Sequence, residues 1–216
     1  MNNQHIAYFL HERRDKAVEA FQVAPSVHPR FQETFSALLG FDFAAYRQQL
    51  HDEILQNIAL WQNDNTAEAK PLDALLFEFN SIYEYAVEAR AYGIVDWQKP
   101  ELRVSGFDMG YDLDIQIGFE AVPGISLSFL QPLEDLLAPE TIHELAEPEQ
   151  DMEEISGFQP LADAYLFSGL VVVHETLVAL NQRSIFAKIG LKPDGLFLLG
   201  GHDTGLVYPI LSTSAD

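Results

Sequence analysis

Apolar side chains recur every three or four residues at Phe43, Tyr46, Leu50, Ile54, Ile58 and Trp61, which places them on one face of a helix. Asp42 supplies an N-cap oxygen just ahead of it. An earlier helix is predicted over roughly Asn3 to Phe21, and a shorter one over Phe31 to Leu39, closed by Gly40. The polar stretch Asn63-Asp-Asn-Thr ends this helical part.

From Pro71 the period becomes two. Leu75, Phe77 and Phe79 fall on one side of a strand, and Tyr83, Tyr85 and Val87 on one side of the next, with Asn80-Ser81 as the turn. Tyr111, Leu113, Ile115, Ile117 and Phe119 then alternate with polar or small residues, which predicts a strand with one wet face. Pro123-Gly124 suits a type II turn, with Ile125, Leu127 and Phe129 returning as a further strand, so the middle reads as an antiparallel β-meander. A short helix and an exposed loop are expected between Pro132 and Ser156, and a long helix from about Pro160 to Gln182 with Leu166, Leu170, Val173, Leu177 and Leu180 inward. Leu196-Phe-Leu-Leu and Leu206-Val-Tyr-Pro-Ile flank a glycine-rich loop and predict a terminal β-hairpin, in which Pro209 requires an edge or a bulge. The whole is a single α+β domain over residues 1–216.

Composition narrows the function classes. At 216 residues and 48% hydrophobic content the chain can bury one sizeable core. A net charge of −21, with only 12 basic residues, argues against nucleic acid as a direct partner and against an anionic membrane surface. The absence of cysteine removes disulfides, thiol nucleophiles and Cys-ligated zinc together. The amino terminus becomes charged at His11-Glu-Arg-Arg before an apolar signal segment forms, and runs such as Leu170-Val-Val-Val are short for a bilayer. A cytoplasmic protein is the expectation.

The charge is unevenly placed. Between Arg103 and Arg183 lie 79 residues with no lysine or arginine and 15 aspartates and glutamates. Asp112 and Asp114, two apart on the predicted strand, project from one face about 7 Å apart by strand rise, with Glu120 farther along. They form an acidic ridge for a basic partner, two ligands for a hard cation, which takes oxygen donors, or the solvated side of an amphipathic strand. The spacing lacks the glycine and terminal glutamate of an EF-hand loop. Glu147, Glu149, Asp151, Glu153 and Glu154 make a second acidic segment, which is either a contact surface or a solvated loop. Tyr92 and Trp97, near predicted strand ends, are candidate interface anchors, while most other aromatics pack the core.

Chemistry has weaker signals. His202 and Asp203 sit in Gly200-Gly-His-Asp-Thr-Gly, where they could serve a metal-dependent hydrolase with nearby carboxylates, or simply close a turn. His174-Glu175 lacks a second histidine four residues on, where Val178 stands, so a core histidine bonded to backbone or water is expected. No serine has a nucleophile-elbow setting. The leading expectation is therefore a non-enzymatic module without cofactor. It would capture and neutralise a basic protein partner, such as a bacterial nuclease-type toxin, as an immunity protein or nucleic-acid mimic does.

Overall fold

The computed structural model describes the chain apart from residues 63–69, 80–86, 110–115, 139–140, 143–144, 146–150, 202–205 and 215–216, and apart from the side chains of 116, 117, 120 and 121. Three helices come first: α1 (Asn3–Val23), α2 (Pro29–Leu39) and α3 (Phe43–Asn57). Each begins at a side-chain cap, Asn2, His28 and Asp42 respectively, and Asp42 Oδ1 accepts from the amides of Ala44 and Ala45 as its position in the sequence implies. The strands β1 (Leu72–Phe79), β2 (Glu88–Val95), β3 (Phe107–Asp108) and β4 (Gln116–Ser126) follow, then a short helix α4 (Gln131–Leu136). The long helix α5 (Phe158–Gln182) precedes the closing strands β5 (Leu191–Gly201) and β6 (Leu206–Ser212).

The six strands form one mixed sheet in the order β3-β6-β5-β1-β2-β4. Every neighbouring pair is antiparallel except β1 and β5, which run parallel from Leu72 opposite Leu191 to Phe79 opposite Gly201. The architecture is α+β, with the terminal hairpin β5–β6 inserted beside β1. Both faces of the sheet centre are covered. Leu75, Phe77, Phe197 and Leu199 join the helices in the main core, while Ala74, Leu76, Leu196 and Leu198 pack against Trp97, Phe107 and Met109 on the other face. That second cover is the segment leaving β2 and running to β3 at the far edge. It explains why β1 is buried from Leu72 through Phe77 without alternation.

The expected turn at Pro123-Gly124 is replaced by a bulge inside β4. Ile125 pairs with Ala89 and Pro123 with Arg90, leaving Gly124 as the extra residue. A Cβ at Gly124 would stand 2.4 Å from the Ala89 carbonyl oxygen, so only glycine permits this approach. The expected returning strand at Ile125 to Phe129 is therefore the end of β4 followed by a helical turn at Ser128–Leu130. The predicted strand around Tyr83–Val87 falls almost wholly outside the described residues, whereas the one predicted over Tyr111 to Phe119 lies outside them only at 111–115 and is found from Gln116 onward as the start of β4.

Helix α5 occupies the centre. Although its apolar runs are short, the helix as a whole is long and apolar enough to cross a membrane by length and composition, and 67% of its most apolar window is buried within the fold. His174 on this helix is 4% exposed, and its Nδ1 donates to the Ile210 carbonyl at 2.9 Å. Ile210 is the bulge residue of β6, between Leu211 opposite Phe197 and Pro209 opposite Leu198. The bulge that Pro209 calls for thus takes its hydrogen bond from a core histidine rather than from a strand. His174→Phe leaves that carbonyl buried without this donor, and is expected to lower stability by about 1–3 kcal/mol in urea titration.

Candidate acidic interface

The outer edge of the sheet is held by α3. Tyr46 Oη donates to the Ser126 carbonyl at 2.8 Å, Glu53 Oε2 accepts the Ser126 amide at 2.9 Å, Asn57 Nδ2 donates to the Gly124 carbonyl at 3.0 Å, and Trp61 Nε1 donates to the Pro123 carbonyl at 2.8 Å. These four side chains continue one helical stripe into the turn beyond α3 and occupy the backbone groups that an edge strand would otherwise offer to another strand. Sequence reasoning used Tyr46 and Trp61 only as apolar positions. Glu53 and Asn57, polar residues bordering that stripe, are the signal it passed over.

Glu53 is half-buried, and its carboxyl is raised above the usual range by burial and, to a smaller extent, by the nearby Glu88 carboxylate, against the lowering effect of the Ser126 amide. Burial likewise pushes the Tyr46 hydroxyl up, with Glu53 adding to it. A carboxyl raised on folding binds its proton more tightly in the folded chain. Its folded form is thus most favoured below the unfolded-state value and loses stability as pH rises through the folded one. Glu53→Gln keeps an acceptor for Ser126 and removes that loss. Its thermal midpoint is expected to exceed the parent's at neutral pH and to converge with it below about pH 4, where the unfolded glutamate is also protonated.

The carboxylates singled out from sequence belong to different elements. Glu120 lies in the edge strand β4. Asp151, Glu153 and Glu154 belong to an exposed turn built on Met152–Glu154, whose Met152 side chain is buried. Asp112, Asp114, Glu147 and Glu149, with His202 and Asp203, lie outside the described residues. Trp97 is corrected from interface anchor to core residue: it is 6% exposed and stacks on Phe107 at 6.1 Å between ring centroids. Its backbone amide donates to the buried Asp73, which also holds Lys192 at 2.7 Å. Tyr92 is half-buried against the same cluster, so the two aromatics share the second face of the sheet.

The cations are largely spoken for. Arg13 pairs with Asp163, Arg14 with Asp15, Lys16 with Glu12, Arg47 with Glu175, Lys70 with Asp96, Lys99 with Asp194, Arg103 with Glu101, and Lys192 with Asp73. These are eight of the chain's 12 basic residues, against 33 acidic ones. Where such a pair forms it acts locally: the Lys99 hydrogen bond and charge hold the Asp194 carboxyl below its ordinary value. By contrast, Asp151, Glu153 and Glu154 form no ion pair with any described residue.

Among the described residues no group of three histidine or carboxylate side chains is placed to hold a metal ion. What the α+β fold carries is an excess of carboxylates over cations, 33 against 12. Comparison with protein-family models, curated proteins and solved structures finds no match for the chain.

Proposed function

We propose that this protein is a non-enzymatic binding module, acting in the cytoplasm, that captures a basic protein partner with its acidic surface and neutralises it. An immunity protein or a nucleic-acid mimic works on the same principle. The observation carrying this reading is that most of the chain's cations are already committed to local pairs, while the carboxylates at Asp151, Glu153 and Glu154 are exposed and form no ion pair with any described residue, within a segment devoid of lysine and arginine. A one-signed surface of that kind is stable on its own only through solvation, and it attracts a positively charged protein from a distance of about a Debye length.

Steering implies a rate signature. Affinity purification at low salt, with mass spectrometry of what co-purifies, is expected to recover a basic protein that is lost at high salt. Its association rate is then expected to fall about tenfold or more from low to high ionic strength, with a much smaller change in dissociation. The triple variant Asp151→Asn, Glu153→Gln, Glu154→Gln should slow association several-fold while leaving the thermal midpoint unchanged, because all three side chains are exposed. An on-rate indifferent to salt would sink the reading.

A further inference from the structure

Where α1 gives way to α2, the chain leaves a cleft of about 380 Å³. Its lining includes the stacked pair Phe21 and Phe35, both buried and with ring centroids 4.3 Å apart, and the exposed uncharged polar side chains of Gln22, Ser26, Gln32 and Ser36. The side chains of Gln22, Ser26 and Gln32 form no hydrogen bond with any described residue, although Ser36 Oγ donates to the Gln32 carbonyl. Open amide and hydroxyl acceptors suit a group with many donors.

The acidic turn is docked beside this cleft. Ser156 Oγ donates to the Pro25 carbonyl, and Gly157, at φ 92°, lies so close to the α1–α2 connection that a Cβ there would be 3.0 Å from Val27 Cγ2. Ser156 and Gly157, which follow the acidic turn, thus rest on the connection that lines the cleft. Glu19 stands three residues before Gln22, and Glu33 three before Ser36, which puts both exposed carboxylates next to lining positions on their helices. No basic residue occupies the last turn of α1. Arg30, two residues from Gln32, projects from the opposite side of α2.

We infer that this cleft receives an arginine side chain from a basic segment of the partner protein. The guanidinium would donate to the glutamine and serine oxygens and face the rim carboxylates. Lysine, a compact ammonium with three donors, matches the charge but not the fork of donors. This assignment rests on the acidic-capture reading and names the contact chemistry within it.

A capped tetra-arginine peptide, with capped tetralysine as control, serves as the probe in NMR titration of the isotopically labelled full chain. At low salt tetra-arginine is expected to shift the amides of Gln22, Ser26, Gln32 and Ser36 and to bind at least about threefold more tightly than tetralysine. Ser36→Trp, and independently Gln22→Trp, fill the cleft from exposed helical positions and should weaken tetra-arginine about tenfold, with the rest of the spectrum confirming the fold. Equal affinity for the two peptides, or binding that moves other residues and ignores both tryptophan variants, overturns the arginine site while leaving acidic capture standing. Failure of both peptides to bind at low salt overturns the two together.

Discussion

Trp61→Ala is expected to destabilise the protein by about 4 kcal/mol, among the largest effects any single truncation should produce here. Trp61 is fully buried, meets Phe77 edge to face at 5.2 Å between ring centroids, and donates its indole N–H to the Pro123 carbonyl. Alanine leaves a cavity between α3 and β1 and frees the bulge of β4 from its outermost tether. Trp61→Phe separates the two contributions. It keeps most of the packing and loses the hydrogen bond, but Pro123 is exposed and water can reach its carbonyl, so a cost of only about 1–2 kcal/mol is expected. Urea denaturation followed by circular dichroism measures both. A Trp61→Ala cost no greater than that of Trp61→Phe would show that α3 is not anchored through this ring.

Gly169→Ala is expected to cost about 2 kcal/mol, although alanine is intrinsically the better helix former by about 1 kcal/mol. Gly169 lies in the middle of α5 with the ring of Phe129 directly over it. A Cβ would fall 2.1 Å from Phe129 Cζ and within 2.4 Å of two neighbouring ring atoms. Phe129 is fully buried and has nowhere to swing, so either α5 must shift or the ring must leave its rotamer. The sign of the effect should reverse when the obstruction is removed. In a Phe129→Ala background, itself about 3–5 kcal/mol less stable, Gly169→Ala is expected to be neutral or to stabilise by up to about 1 kcal/mol. Additivity of the two substitutions would rule out the steric account.

Several elements were legible in the sequence because their signals are local. Asp42 caps α3 at the expected residue, α1 begins at the expected Asn3, and α5 extends the predicted helix by two residues at its start, where Gly157 adopts the positive φ that frees the chain to turn. The hairpin β5–β6 and the bulge beside Pro209 follow from two apolar runs flanking a glycine-rich loop and from the missing proline donor. β2 was harder to see. Its inward positions include Ala89, Ala91 and Gly93, and at Gly93 the ring of Phe119 from the paired strand takes the space a side chain would fill. Small residues carry little hydrophobic signal even when fully buried.

The Pro123-Gly124 pair shows how a local preference is overruled. In isolation it favours a type II turn, yet pairing with β2 on one side and four side-chain bonds from α3 on the other hold it in a bulged strand. Trp97 reverses its expected role for a similar reason: a tryptophan near a strand end has no burial of its own until the segment carrying it lies back across the sheet.

Periodicity, caps and charge count belong to the sequence alone, because each depends on residues within a few positions of one another or on a simple sum. They establish the helices, the hairpin, the α+β class and the excess of 21 negative charges. The parallel pairing of β1 with β5, the covering of both sheet faces, the capture of β4 by α3 and the docking of Ser156 and Gly157 on the α1–α2 connection were decided only by tertiary structure. Each joins segments tens of residues apart, and their free energy comes from surfaces that do not exist until the chain has folded.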